Sequence, residues 1–214
     1  MYDLGGGTFD VSLVVVENGV VEVKASHGDT KLGGDDFDQL LINHVIQDFK
    51  SRHGVDLNED LRSRRRLLVS AEKAKRELSD HPFARMREEF MYKDLHLDIE
   101  ISRTHYEEMI QPLLQKTLNC IQMCLKDAAI LPKDIDKIIL VGGATRTPLV
   151  HEIIKSEIGI EPHYEISPDL IVSMGAAIQG GVIAGHKTHS VLVDITPYTF
   201  GTSAIGEHDG QFHH

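Results

Sequence analysis

Asp3-Leu4-Gly5-Gly6-Gly7-Thr8-Phe9-Asp10 is the stretch that decides how this chain is read. Three consecutive glycines permit positive φ and bring bare N–H groups up to an anion, Thr8 adds a hydroxyl, and the carboxylates of Asp3 and Asp10 flank the turn. A turn of this kind suits a nucleotide phosphate with its metal. Downstream of it, Thr8 to Val16 alternates apolar and polar, Asn18-Gly19 signals a type I′ turn, and Val20 to Ala25 alternates again. The glycine turn is therefore expected to open into a β-hairpin. Only Met1 and Tyr2 precede the motif. The strands that would build the other wall of a phosphate cleft are expected upstream, on a larger protein of which this chain is a piece.

Composition narrows the function classes. With 214 residues, 41% hydrophobic and 26% charged, the chain falls among soluble globular proteins of one large or two small domains. Its 22 basic and 33 acidic residues give a formal charge of -11, and no basic run is interleaved with aromatics, so neither nucleic acid nor an anionic membrane is expected as a partner. No apolar run is long enough to span a bilayer or serve as a signal sequence, and the two cysteines fit a reducing cytoplasm. Cys120 and Cys124 stand at i, i+4 in a segment of helical period; with no second Cys or His pair at matching spacing, core packing is the better reading than a metal site. His213 and His214 read as the start of an affinity tag and are set aside.

Beyond Gly33-Gly34 the period turns helical: Phe37, Leu40, Leu41, His44, Val45 and Phe49 share a face, and a stop falls near Gly54. A second helix is expected from about Asn58 to Leu78, ending before His81-Pro82, then two strands near Ala84 to Met91 and Leu95 to Ile101. The longest helix starts at Ser102, carries an apolar stripe from Met109 to Leu125, and has Pro112 in its first turns or at a kink. Ile135 to Val141 reads as a buried strand running into Gly142-Gly143-Ala144-Thr145-Arg146, a second strand-to-glycine turn. Ser167-Pro168-Asp169 caps a small-residue helix, Ile171 to Ala184, expected to be tightly buried or beside a ligand. Strands, a helix-rich insertion, then strand-helix-strand again predict an α/β body interrupted near Gly33 and resumed near Gln111. Neither Gly-Lys-Ser/Thr nor Gly-x-Gly-x-x-Gly occurs, so the P-loop and dinucleotide folds are disfavoured.

Taken together these residues resemble the seventy-kilodalton heat-shock chaperones of the DnaK type, within the actin and sugar-kinase ATPase superfamily. Five segments match in the family's order across roughly residues 2 to 185: Asp3 to Asp10; Gly28 to Asp38; Glu72 to Ser79; Leu140 to Arg146; and Ser167-Pro168-Asp169 with Gly175-Ala176-Ala177. The resemblance implies an actin-like, ribonuclease H-like α/β lobe, a mixed sheet flanked by helices with an inserted α+β subdomain. It identifies the chain with lobe II of a nucleotide-binding domain: a base subdomain over 1–32 and 111–187, a mobile inserted subdomain over 33–110, a linker with the first strand of a substrate-binding domain over 188–201, and a tail over 202–214. Lobe I, with the family's first phosphate hairpin, its phosphate-contacting lysine and its water-side glutamate, would lie upstream. A fragment of this kind is expected to hold nucleotide weakly and to hydrolyse it hardly at all, although the parent is an ATPase.

The resemblance also assigns roles. Asp3 corresponds to the catalytic carboxylate that orients the metal-bound water or the nucleophile, and Asp10 to one that helps bind a monovalent cation; without the family, both are turn-capping acids. Gly5, Gly6, Gly7 and Thr8 would donate to the β- and γ-phosphates. Gly33 and Gly34 lie in the lobe-crossing segment on the adenosine side. Glu72, Lys75, Arg76 and Ser79, at i, i+3, i+4 and i+7, share one helical face that the family turns to adenine and ribose, where an arbitrary sequence would have a solvated charged face. Arg146 would stack on adenine with Gly142 and Gly143 admitting the base and ribose, and Asp169 would lie beside the nucleotide. Ala144 stands where the family usually has serine and Leu170 where it usually has glutamate, which weakens those two contacts.

Implied cofactors are ATP or ADP, Mg²⁺ and K⁺. Implied partners are unfolded, apolar peptides held by the substrate-binding domain, a J-domain co-chaperone and a nucleotide-exchange factor. Val191-Leu192-Val193-Asp194-Ile195-Thr196-Pro197 resembles the family's interdomain linker, which docks as an added edge strand; its plainer reading is a last core strand. Two further functions stay open: a metabolic kinase of the same superfamily, and a stand-alone module that grips nucleotide without turnover.

Overall fold

The computed structural model describes residues 1–168, 170–186, 191–196, 202, 206–208 and 211–213. A six-stranded sheet forms the body. Its strands are β1 (Tyr2–Leu4), β2 (Phe9–Glu17), β3 (Val20–Asp29), β6 (Ile138–Val141), β7 (Pro162–His163) and β8 (Val191–Val193), in the order β7-β6-β1-β2-β3-β8. β1, β2 and β3 are antiparallel neighbours, whereas β6, β7 and β8 join in parallel. The hairpin turns at Asn18 and Gly19, with φ of 50° and 79°, the left-handed pair that a type I′ turn requires.

Between β3 and β6 the chain builds a second layer. α1 (Gly34–His53) and α2 (Leu61–Asp80) pack on each other, and α2 covers the ribbon of β4 (Phe83–Tyr92) and β5 (Leu95–Ser102). α1 ends at Gly54, whose φ of 70° forms the left-handed cap expected there. The second helix starts later than its period predicts. Asp56 caps a short 3-10 turn and Asp60 caps the helix proper by accepting from the Ser63 amide at 2.8 Å, so two acids in succession break what reads as one run.

α3 (Arg103–Asp127) links the layers. Its start touches α1, α2 and β5, and its later turns lie on β2 and β3. Pro112 lies inside it, in the third turn from its start. Tyr2 donates its hydroxyl to Thr117 Oγ1 at 2.9 Å, and the Cys124 thiol sits 3.3 Å from the Ala25 carbonyl, so both buried cysteines are core packing. Leu4, Phe9, Phe37, Leu41, Val45, Phe49, Leu67, Leu78, Ile110 and Leu140 belong to one continuous buried cluster.

α4 (Pro148–Ile158) packs against α3 and leads to β7. The small-residue helix forms as α5 (Ile171–Ile183), but none of its residues is buried, and nothing lies within 4 Å of where a Cβ would stand on Gly175 or Gly180. This corrects the expectation of tight burial: small residues allow close approach but do not supply the opposing face. β8 lies along the sheet edge with Val191, Leu192 and Val193 exposed, so it is an added edge strand and not a core strand. In the tail, β9 (Gly206–His208) pairs with β10 (Gln211–His213).

Candidate functional site

β1 and β6 are adjacent and parallel, with Tyr2 opposite Leu140 and Asp3 opposite Val141. Their carboxyl ends therefore leave the sheet at one edge, where ligands of open α/β sheets collect. Leu4 runs into Gly5-Gly6-Gly7 there, and Val141 into Gly142-Gly143. The two turns are pressed together. Gly142 has φ of 87°, and a Cβ on it would collide with the Leu4 carbonyl and come within 2.9 Å of Asp3 Oδ1.

α1 closes the third side. Its first amides, those of Gly34 and Asp35, donate to the carbonyls of Gly5 and Gly6 at 2.9 and 2.8 Å, which satisfies the helix start with the glycine turn itself. Asp36 reaches back to the Gly33 amide at 2.8 Å. A Cβ on Gly33 would strike the Gly6 carbonyl, so this approach also requires glycine. The Gly5 amide donates to Thr8 within the turn, whereas among the described residues nothing accepts from the amides of Gly6, Gly7 or Thr8. None of Gly5, Gly6 and Gly7 takes the positive φ that three glycines permit, so the turn leaves three successive donors open without a left-handed residue among the glycines.

These walls border a cleft of about 1040 Å³, just above the ~300–1,000 Å³ common for small-molecule sites. Gly5, Gly6, Gly34, Gly143 and Arg146 line it, and so do all four polar residues of the α2 face, Glu72, Lys75, Arg76 and Ser79. Gly7 and Thr8 are exposed beyond its rim. Gly33 and Gly142 stand behind the lining and hold the turns against each other. Asp3 and Asp10 face each other across β1 and β2 beneath the glycine turn and do not line the cleft. Asp169 lies outside the described residues.

The electrostatics are uneven. Burial raises the Asp3 carboxyl above its usual range and the Asp10 charge raises it further, while burial alone raises Asp10. Two crowded carboxylates of this kind are a donor set that fits a cation. Among the described residues no group of three or more His, Cys, Asp or Glu stands together as a metal site. On the α2 side, Lys75 donates to Asp38 Oδ2 at 2.7 Å and to the Gly34 carbonyl at 3.0 Å, tying α2 to the start of α1. Burial raises Asp38 against the pull of Lys75, and its Oδ1 is buried without a partner. Arg76 is held by Glu72 at 2.6 Å, so the helix face is ordered internally.

Sequence reasoning missed part of the wall. Tyr164 donates to the Thr145 carbonyl at 2.7 Å and lies 2.9 Å from His151 Nε2, bracing the turn that carries Arg146. Burial lowers the His151 imidazole below its ordinary value. Neither residue has a local signal; only the packing of β7 beside β6 brings Tyr164 to the turn. Asp38 had one, its position one helical turn after Gly34.

The family model described as Hsp70 protein matches residues 1–212. With a match of that extent, and with a mixed sheet flanked by helices around a cleft between two glycine turns, the chain belongs to the Hsp70 family and has its actin-like ATPase fold.

Proposed function

We propose that this chain is lobe II of the nucleotide-binding domain of an ATP-driven chaperone, with a base subdomain over 1–32 and 111–187, a mobile inserted subdomain over 33–110, a linker over 188–201 and a tail over 202–214. Nucleotide binding, typically with Mg²⁺, is a property of the family; ATP or ADP in this cleft and K⁺ beside it are our reading. The observation that carries it is the meeting of the Gly5–Gly6 turn, the α2 face and the Gly143–Arg146 turn at one cleft, with the unpartnered amides of Gly7 and Thr8 next along the chain from its lining.

In this reading the amides of Gly6, Gly7 and Thr8 donate to the β- and γ-phosphate oxygens, with Gly5 shaping the turn. Glu72, Arg76 and Ser79 take the ribose and adenine edges, Lys75 keeps the helix at the right distance, and Arg146 lays its guanidinium against the base, with Asp169 alongside. Asp3 orients the attacking water, and Asp10 helps hold K⁺. Mg²⁺, when bound, supplies neutralising charge at the phosphates. Because phosphoryl transfer rests on positioning and charge stabilisation from all sides, these 214 residues alone are expected to turn ATP over far more slowly than with a facing lobe. In the parent the cycle would control binding and release of unfolded apolar peptides in the cytoplasm, helped by a J-domain co-chaperone and a nucleotide-exchange factor. β8 along β3 supports a linker that signals by docking on this sheet.

Calorimetric titration with ADP and Mg²⁺ tests this. We expect saturable one-to-one binding, lost in Glu72→Ala/Arg146→Ala, and negligible ATPase activity until lobe I is added. Absence of ADP binding at millimolar concentration, or binding indifferent to both substitutions, would overturn it.

A further inference from the structure

At the end of the cleft that holds Arg146, the position of one proton can be deduced. Tyr164 donates its hydroxyl to the Thr145 carbonyl at 2.7 Å, and the same oxygen lies 2.9 Å from His151 Nε2. A tyrosine hydroxyl has a single hydrogen. Toward His151 it can therefore only accept, so Nε2 carries the imidazole proton. Burial holds the His151 ring below its ordinary pKa against the pull of Glu161, which favours the uncharged form. In that form the other ring nitrogen, Nδ1, is a bare lone pair.

This lone pair is open. Among the described residues Nδ1 has no hydrogen-bond partner, and the buried side-chain atoms left without one are Asp38 Oδ1 and Tyr106 Oη, so Nδ1 is reached by solvent. His151 and Tyr164 both line the cleft together with Arg146, their rings tilted at 55° with centroids 5.2 Å apart. The wall beside Arg146 thus carries an acceptor whose tautomer is set from behind by a hydroxyl already committed to the backbone.

We propose that His151 Nδ1 accepts from the exocyclic amine of the purine, which makes His151 a specificity-determining residue for 6-aminopurine over 6-oxopurine nucleotides, with Tyr164 as the positioning residue that fixes its tautomer. This rests on the reading of the cleft as a nucleotide site with its base against Arg146. Adenine carries an amino donor where guanine and hypoxanthine carry the O6 acceptor. A bare acceptor opposite gains a hydrogen bond from the first and meets a second lone pair in the others. Stacking by Arg146 cannot make that choice, because a guanidinium plane lies as well on one purine as on another.

Chemical-shift titration of the whole chain with ADP and with inosine diphosphate, each with Mg²⁺, is the test. Inosine diphosphate keeps the phosphates, the ribose and the stacking ring but has O6 in place of the amine. Wild type should bind ADP about tenfold more tightly, the effect of one net hydrogen bond. His151→Leu removes the lone pair at similar size and should bring the two nucleotides to within about twofold of each other, mainly by weakening ADP. Tyr164→Phe lets the imidazole carry its proton on either nitrogen and should narrow the preference to roughly threefold. Loss of a mere brace would weaken both nucleotides alike, so an unchanged preference in Tyr164→Phe overturns its positioning role. Equal affinity of wild type for the two, or a preference that survives His151→Leu, overturns the assignment of His151 and leaves the nucleotide site standing. Failure to bind either nucleotide overturns the nucleotide reading and this assignment with it.

Discussion

Gly142 is wedged against Leu4 so closely that any side chain on it would run into the Leu4 carbonyl, and its φ of 87° is one that residues with a Cβ avoid. Gly142→Ala therefore meets both backbone strain and a backbone collision that no rotamer relieves. We expect a loss of more than about 2 kcal/mol in urea unfolding, together with weaker ADP binding as the two turns separate. A stability loss below half of that would mean that β1 and β6 move apart easily.

Lys75 and Asp38 form a nearly buried ion pair, with side chains 14% and 9% exposed. Lys75→Met strands the carboxylate and should destabilise the protein by about 3 kcal/mol at neutral pH, the low end for a buried pair because the cleft is beside it. The sign with pH is fixed. Asp38 is already raised in the folded state, and removing Lys75 raises it further, so the penalty is borne by the ionised form and shrinks as pH falls through the variant's Asp38 pKa. Unfolding curves at pH 7 and pH 4.5 check this; an unchanged difference would place the cost elsewhere.

The crowding of Asp3 and Asp10 gives the opposite result for a substitution. Both carboxyls are raised in the folded state, so their contribution is most favourable below the ordinary carboxylate pKa and is lost as pH rises through the folded values. Asp10→Asn should therefore raise the urea midpoint of the ligand-free protein at pH 7, with the gain narrowing toward pH 4. The same substitution should remove any stabilisation by added K⁺, since a cation bound only to the folded state stabilises by mass action.

Tyr164→Phe deletes the donor to the Thr145 carbonyl and leaves that acceptor unsatisfied. We expect a loss of about 1 kcal/mol in stability. A severalfold weaker ADP affinity should accompany it, because the Arg146 turn loses its brace; an unchanged affinity would separate this tyrosine from the site.

What could be read in advance follows the range of the forces. Asn18-Gly19 announces its hairpin because the left-handed pair is a property of those two residues. The face of Glu72, Lys75, Arg76 and Ser79 follows from helical spacing, and the cleft does receive all four. Spacing alone does not say that the face looks onto a cleft and not onto solvent; family resemblance was needed for that. Tyr164 has no local signal because strand pairing brings it in, and His151 has none because a single histidine on α4 says nothing of the tyrosine that packs on it. α5 misleads for a related reason: glycine and alanine describe what a helix could pack against, and no sequence rule names the surface that comes to meet it.

Two neighbouring strands, β1 and β6, carry both glycine turns, so the gap between them is that of adjacent strands, about 4.8 Å, and is set by amide-to-carbonyl bonding. Substitution along the lining can change which ligand is preferred, but the jaw formed by the two turns keeps its width. If the inserted layer is mobile, as proposed, the cleft would open by α1 and α2 moving on their contacts with the glycine turn, a door against a fixed frame.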